Sequence, residues 1–351
     1  MSIQTTQSPI ASSDSLTWLT VDQWQKYVEW HPDSSVFHHR NWIELLNAQY
    51  GMEISIPAIT RNEKIVAAIP LLQTRNLRGK KKLISLPFTD YLPILADDAP
   101  SAEALCQLLR SEYRDSYEAV VLRASTPVNG LKNESFNVRH ILKTDLPLDE
   151  IKSGFASAIK RNLNKGRRKG LEFHKRQDDD AMDTFYRLQV LTRRKLGVPV
   201  QPKSYFRRLS DQLIKTKLGF VAVVTKENQP IAAGVLLGFN GRLTYKYAAS
   251  DPTALEHRPN DWLVYNSIRI AAEEGFQLFD FGISDKSQEG LRRFKSKWGA
   301  EESDIFYSYI VGEPDPDSGP SRAVLLAGEI IKRSPTLVCR LLGKAFYKYS
   351  Q

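Results

Sequence analysis

A chain of 351 residues, 42% of them hydrophobic, can build two ordinary cores, which excludes a disordered protein and sets an expectation of two domains. Its net charge of +9 favours anionic partners, among them nucleic acids, acidic lipid surfaces, nucleotides and phosphorylated or carboxylated substrates, without choosing between them. The cysteines are only Cys106 and Cys339, with no metal-type spacing. The opening MSIQTTQSPIASSDS lacks the features of a secretory leader, and no apolar run approaches the ~20 residues of a membrane span, so the expectation is a cytoplasmic protein without a disulfide framework.

Residues 1–15 are small and polar and read as disordered. Helical spacing follows over Val21–Trp30 and from about His39 to Tyr50, where Gly51 stops it. Ile54–Ile59 and Ile65–Leu72 read as a hairpin around Thr60–Lys64, and a basic cluster (Arg75, Lys80, Lys81, Lys82) precedes the strand-like Leu83–Leu86. A helix from about Ala102 to Tyr113 and a strand over Tyr117–Leu122 complete an N-terminal domain over 16–148. The basic stretch Ile159–Gly170 ends a linker helix over 149–176; it reads either as an anion contact or as the solvated end of a helix whose cations suit its dipole.

The second domain, 177–311, repeats the order of the first. Asp178–Asp180 cap a helix reaching Leu196, with Gly197 as its stop, and a second helix runs over about Lys203–Leu218. Phe220–Val224 and Ile231–Leu237 make another hairpin, with IAAGVLL at 231 answering IVAAIPLL at 65. Leu243 then answers Leu83 at an offset of 243 − 83 = 160, and Phe276 answers Tyr117 at 276 − 117 = 159, which suggests duplication. In the strand Arg242–Ser250, Tyr245 and Tyr247 alternate onto one face. A helix opening at Pro259 leads to the apolar Phe276–Phe281, ended by Gly282 and Asp285. Strand, helix and strand in that order join parallel strands, and two such strands can splay around a ligand. Residues 312–351 are a Pro/Gly/Asp linker and two basic amphipathic helical stretches, a tail that either packs on its own domain or lies peripherally at the inner membrane face.

There is no GxSxG, HExxH, Walker or GxGxxG motif, and the histidines are scattered, so serine hydrolase, zinc protease, P-loop and Rossmann chemistry lack their parts and no metal is expected. YKYAAS (245–250), RPNDWLVYNSI (258–268), FDFGISD (279–285) and GLRRFKSKWGAE (290–301), with SLPFTDY (85–91) and RNLNKGRRKG (161–170), resemble GNAT-fold transferases of the FemAB-like and CelD-type acetyltransferase group. The resemblance implies an α/β protein of two tandem GNAT-like (acyl-CoA N-acyltransferase) domains with mixed sheets. It further implies acyl or aminoacyl transfer to an amine of a cell-envelope or exopolysaccharide precursor, with acyl-CoA or aminoacyl-tRNA as co-substrate and no bound cofactor.

Such a reaction needs a polarised donor carbonyl, a free amine and alignment of the two. Carried over from the group, Lys295 polarises the carbonyl and Phe294 positions the reactants, with Tyr247 as a third catalytic residue. Tyr245, Asp285, Asp90, Tyr91, Arg161 and Arg168 fall to substrate binding, the arginines as phosphate contacts. Each has a bland reading: core aromatic, surface charge, turn former or helix cap. The usual acetyl-CoA loop before the central helix is replaced by Glu256-His257-Arg258-Pro259-Asn260-Asp261, which puts acetyl-CoA in doubt. Expected partners are an anionic small-molecule or glycolipid-linked substrate and tRNA as donor, but no DNA, for want of a groove-reading helix. The alternative is a catalytically silent GNAT-like protein that binds an anionic envelope precursor or assembly partner.

Overall fold

The computed structural model describes residues 14–75, 79–314 and 322–346, so the expected linker over 315–321 and residues 1–13 of the expected loose N-terminus lie outside the described residues. Asp14 and Ser15 are ordered: Asp14 holds Arg61 at 2.8 Å and Ser15 begins a strand. The chain forms two compact units, the first from residues up to 136 with 304–314, the second from 137–303 with the C-terminal helices.

The N-terminal unit contains β1 (Ser15–Trp18), α1 (Val21–Trp30), α2 (Arg40–Tyr50), β2 (Ile54–Ser55), β3 (Pro57–Arg61), β4 (Lys64–Ala68), β5 (Leu71–Arg75), β6 (Lys81–Ile84), β7 (Leu95–Ala96), α3 (Ala99–Tyr113), β8 (Ala119–Ala124) and the start of β9 (Lys132–Lys143). Its helices start where side chains serve the free amides. Thr20 and Gln23 form a capping box before α1, His39 caps α2 and Asp98 caps α3. The expected single return strand over 65–72 is two strands. Pro70 has no N–H to donate at their junction, and the chain leaves the sheet β1-β3-β4-β7 for another in which β8, β6, β5 and β2 lie in that order.

The C-terminal unit continues β9 and adds α4 (Leu148–Ser153), α5 (Ser157–Arg168), β10 (Glu172–Arg176), α6 (Asp179–Leu196), α7 (Lys203–Leu209) with a π-helical turn over Ser210–Ile214, β11 (Gly219–Lys226), β12 (Gln229–Phe239), β13 (Arg242–Ser250), α8 (Pro259–Glu273), β14 (Leu278–Asp285), α9 (Glu289–Ser296), the start of β15 (Glu301–Val311), α10 (Arg322–Arg333) and α11 (Thr336–Phe346). Its strands run β10-β11-β12-β13-β14-β9. Leu263, Val264, Ile268 and Ala271 of α8 pack with Phe279, Phe220, Val224 and Leu243 on one face; α6 packs against β11, β12 and β13.

The expected boundary at 148 therefore moves to 136, and that at 311 to 303, because the twelve-residue strand β9 and the eleven-residue strand β15 carry the chain through both changes of unit. The expected linker helix belongs to the second core: Ile151, Phe155 and Ile159 are buried in it, and the helix breaks at Gly154–Ala156. Helices α10 and α11 rest on α6, with Ile331 and Cys339 buried and Ile330, Leu337 and Leu341 exposed. No helix of the described residues is long and apolar enough to cross a membrane.

Both units contain a parallel pair in matching register. Lys82, Leu83 and Ile84 face Ala119, Val120 and Val121; Arg242, Leu243 and Thr244 face Leu278, Phe279 and Asp280. The hairpins before them turn alike, through Asn62-Glu63 and Glu227-Asn228, all four at positive φ, as two-residue hairpins favour.

Candidate active site

Only three residue pairs join β13 to β14. Beyond Thr244 and Asp280 the strands part, and between them lies a cavity of ≈350 Å³ lined by Tyr245, Ala248, Ala249, Phe281, Phe294 and Lys295, among others. Its far end is fixed by α6: Thr192 Oγ1 accepts from the Ser250 amide at 3.0 Å and donates to the Ser250 carbonyl at 3.2 Å. A strand terminus without a sheet partner is thus held by a side chain that substitutes for one.

Two bulges shape the walls. Against β9, Asp280 pairs with Ile141 and Ile283 with Arg139, so Phe281 and Gly282 together oppose His140. Gly282 takes φ +67°, a conformation that costs a side-chain-bearing residue more, and its amide is held by Asp280 Oδ1 at 2.8 Å. The turned-out carbonyls of Gly282 and Ile283 accept from Lys295 Nζ at 2.8 and 3.0 Å. Lys295 is only 5% exposed, so its ammonium is a fixed charge in the cavity wall, unlike the mobile surface charge that a helical lysine usually is. Gly282 was expected to end the strand; it bends the strand instead.

The second bulge lies between β12 and β13, where Val235 faces Tyr247 but its neighbour Leu236 faces Tyr245. The extra residue, Lys246, turns the two tyrosines to opposite faces, correcting the expectation that they share one. Tyr245 lines the cavity, its ring crossing Gly234, where an added Cβ would stand 2.8 Å from Cε2. Burial pushes its phenol up, so it stays protonated as a proton donor. Tyr247 points the other way, with its hydroxyl 2.8 Å from that of Tyr205 and its ring among Phe185 and Phe206. It is a packing residue and does not reach the slot.

Phe294 forms cavity wall and sets its ring edge-on to Trp298, 6.2 Å between centroids. Asp285 is exposed and accepts from the amide and hydroxyl of Ser287, closing the turn before α9. Asp90 and Tyr91 are buried in the N-terminal unit. Arg161 and Arg168 are exposed, and neither lines a cavity described here.

Sequence reasoning missed His140, which lies on the uncalled strand β9. It is fully buried, with Nε2 3.1 Å from Glu302 Oε2 and 3.3 Å from Ser296 Oγ, and Glu302 is in turn bridged by Arg292 at 2.6 Å. Burial, then the Lys295 ammonium, bring its pKa down to about 4, outweighing Glu302. The ring is neutral at pH 7 and its contact with Glu302 is a hydrogen bond, not an ion pair. The alternation of Phe136, Val138 and His140 was the available signal, obscured by polar neighbours.

At the N-terminus of α8, where the acetyl-CoA loop was missing, Asp261 is buried and accepts from Asn162 Nδ2 at 3.0 Å. Burial raises its pKa against the pull of Arg258 and Asn162. Among the described residues no group of His, Cys, Asp and Glu could hold a metal ion. Cys106 and Cys339 are buried, and burial pushes both thiols up, so neither is poised as a nucleophile.

Parallel strands that part beside a central helix, with bulges on both sides, define a GNAT-type acyltransferase site. Residues 153–296 match the family described as Acetyltransferase (GNAT) domain, and this segment is such a domain. The fold extends over most of the chain. FemX is 15% identical, covering 84% of this chain and 96% of that one, with a TM-score of 0.69. The C-terminal domain of a putative lysylphosphatidylglycerol synthetase from Agrobacterium fabrum is 14% identical (89% and 96% covered, TM-score 0.57). A tandem GNAT protein from the clavulanic acid biosynthesis pathway is 10% identical (86% and 100% covered, TM-score 0.53). No curated protein matches the chain by sequence. The chain is an acyltransferase-class enzyme of two tandem GNAT-like domains, with the described site in the second.

Proposed function

We propose that the protein transfers an acyl or aminoacyl group to a primary amine of a cell-envelope or exopolysaccharide precursor, with acyl-CoA or aminoacyl-tRNA as donor. The observation that carries this reading is the buried Lys295 ammonium in the wall of the slot between β13 and β14. The donor carbonyl enters the slot with its oxygen toward Lys295 Nζ. The amine attacks the carbonyl carbon, a C–N bond forms, and the oxygen gains charge beside the ammonium. Collapse breaks the bond to sulfur or to the ribose oxygen; the leaving group takes a proton from Tyr245, and the amine nitrogen gives one up to restore the phenol.

The envelope assignment takes its support from a neighbour whose name includes lysylphosphatidylglycerol synthesis. The buried Asp261 in the first turn of α8 disfavours a donor pyrophosphate there and favours a second reading, a silent protein that binds an anionic envelope precursor. Turnover decides. Acetyl-CoA, longer acyl-CoAs and charged tRNAs are each incubated with an envelope-precursor extract, with Lys295→Ala as control. Consumption of one donor class that is lost in the variant supports transfer. Precursor binding without consumption of any donor, unchanged by Lys295→Ala, supports the silent protein.

A further inference from the structure

A second cavity of the C-terminal unit, ≈320 Å³, is separate in its lining from the slot. It lies between α4, α5 and the first two turns of α8, and its walls include Lys152, Lys160, Leu163, Arg167, Trp262 and Tyr265. The spacing explains the wall. Lys160, Leu163, Asn164 and Arg167 stand at i, i+3, i+4 and i+7 on α5 and form one stripe. Arg161 and Arg168 are each one residue, about 100°, further round. Trp262 and Tyr265, i and i+3 on α8, bring two rings to 6.1 Å at an interplanar angle of 43°. Gly166 allows this: an added Cβ would stand 3.1 Å from Trp262 Cε3, so the indole lies directly on the α5 backbone.

The charge is unbalanced. Three cations, Lys152, Lys160 and Arg167, share the lining with a single carboxylate, Asp149, which Lys152 holds at 2.8 Å. Lys160 donates to the Ser153 carbonyl at 3.0 Å, which uses none of its charge. Arg167 has no hydrogen bond or ion pair within the protein among the described residues, yet it is close enough to oppose the upward shift that Asp149 and Tyr265 give Lys152. Like charges gathered beside aromatic rings call for a ligand that is anionic at one end and flat at the other.

We infer that this cavity binds a nucleoside phosphate, its phosphates on Arg167 and Lys160 and its base against Trp262 and Tyr265. A nucleoside phosphate is the shared chemistry of coenzyme A, of an RNA 3′ end and of a nucleotide-activated sugar. Because Asn260 lines the slot and Trp262 this cavity, the two open at the same first turn of α8, two residues apart. A ligand anchored here bypasses the α8 N-terminus that Asp261 occupies. The site is defined by binding alone and stands whether or not the proposed transfer is correct.

The test is equilibrium binding to the full chain at fixed, low ionic strength, with ADP, UDP and inorganic pyrophosphate as probes, for wild type, Lys160→Gln/Arg167→Gln and Tyr265→Ala. Both substituted cations are surface groups whose removal leaves the core intact, and melting temperature checks each variant. The expected result is ADP or UDP bound more tightly than pyrophosphate, weakened tenfold or more in the double variant and severalfold in Tyr265→Ala. Coenzyme A, a UDP-linked hexosamine and a short RNA ending in CCA then identify the source as the one that exceeds its bare diphosphate. Binding of neither ADP nor UDP, binding indifferent to Lys160 and Arg167, or pyrophosphate bound as tightly as either nucleotide would overturn the proposal.

Discussion

The two units share one plan and differ at one place, where three parallel strand pairs end. In the N-terminal unit the gap beyond Ile84 is refilled by its own chain. The Ser85 amide donates to the Val121 carbonyl at 3.0 Å, the Ser85 hydroxyl accepts from the Arg123 amide at 2.9 Å, and Leu92 donates to the Arg123 carbonyl at 2.7 Å. Leu86 and Phe88 take positive φ to make that path, a strained solution for non-glycine residues. From β8 the chain runs to β9 through loop and turn, so there is no counterpart of α9 and hence none of Lys295. In the C-terminal unit β13 continues straight, α6 holds its end, and α9 supplies the ammonium. The fold alone therefore specifies a splayed pair; whether it is a site depends on what occupies the gap.

Removing the charge from the open unit gives the largest expected effect. Lys295→Met keeps the volume and loses the ammonium, and kcat should fall by about 10²–10³ with donor affinity retained. The Gly282 and Ile283 carbonyls lose their donor, so urea unfolding should also show about 1–3 kcal/mol of lost stability. Imitating the closed unit comes next. Ala248 is an exposed wall residue of the slot, and Ala248→Trp should raise the donor KM about tenfold or more while the unfolding midpoint stays within the range of a surface change. His140 gives an effect of intermediate size, specific to pH. Its pKa is about 4 folded and about 6.5 unfolded, so between these values the unfolded chain takes up a proton that the folded chain refuses. Wild-type stability should decline by up to about 3 kcal/mol relative to His140→Gln as pH falls from about 6.5 towards 4, with no such difference in slope above 6.5, as read from denaturation at several pH values. Gly282→Ala, which tests the bulge without touching Lys295, should cost about 1–2 kcal/mol in the same assay and reduce kcat.

Much of this contrast was legible in the residues. The 160 and 159 offsets match the structural register, in which Leu83 pairs with Val120 and Leu243 with Phe279. Helix ends were readable where a side chain or glycine does the capping, as at Asp178 and Gly197 of α6. Bulges were not readable, because they depend on which residue a neighbouring strand opposes. Alternation alone put Tyr245 and Tyr247 on one face, and Lys246 reverses that. Arg161 and Arg168 stood out in a basic run, but only the packing of α5 on α8 turns Lys160 and Arg167 to a cavity instead. Lys295 could be singled out by resemblance and not by pattern, since nothing in a helix rich in Lys and Arg says which cation two distant carbonyls will hold.

The most direct test of the central claim is a crystal structure with a non-reactive analogue of whichever donor is turned over. The account predicts the donor carbonyl between β13 and β14, its oxygen within hydrogen-bond distance of Lys295 Nζ and its acyl group against Phe281 and Phe294. A donor bound with its carbonyl in the N-terminal unit, or in the C-terminal unit away from Lys295, would contradict it.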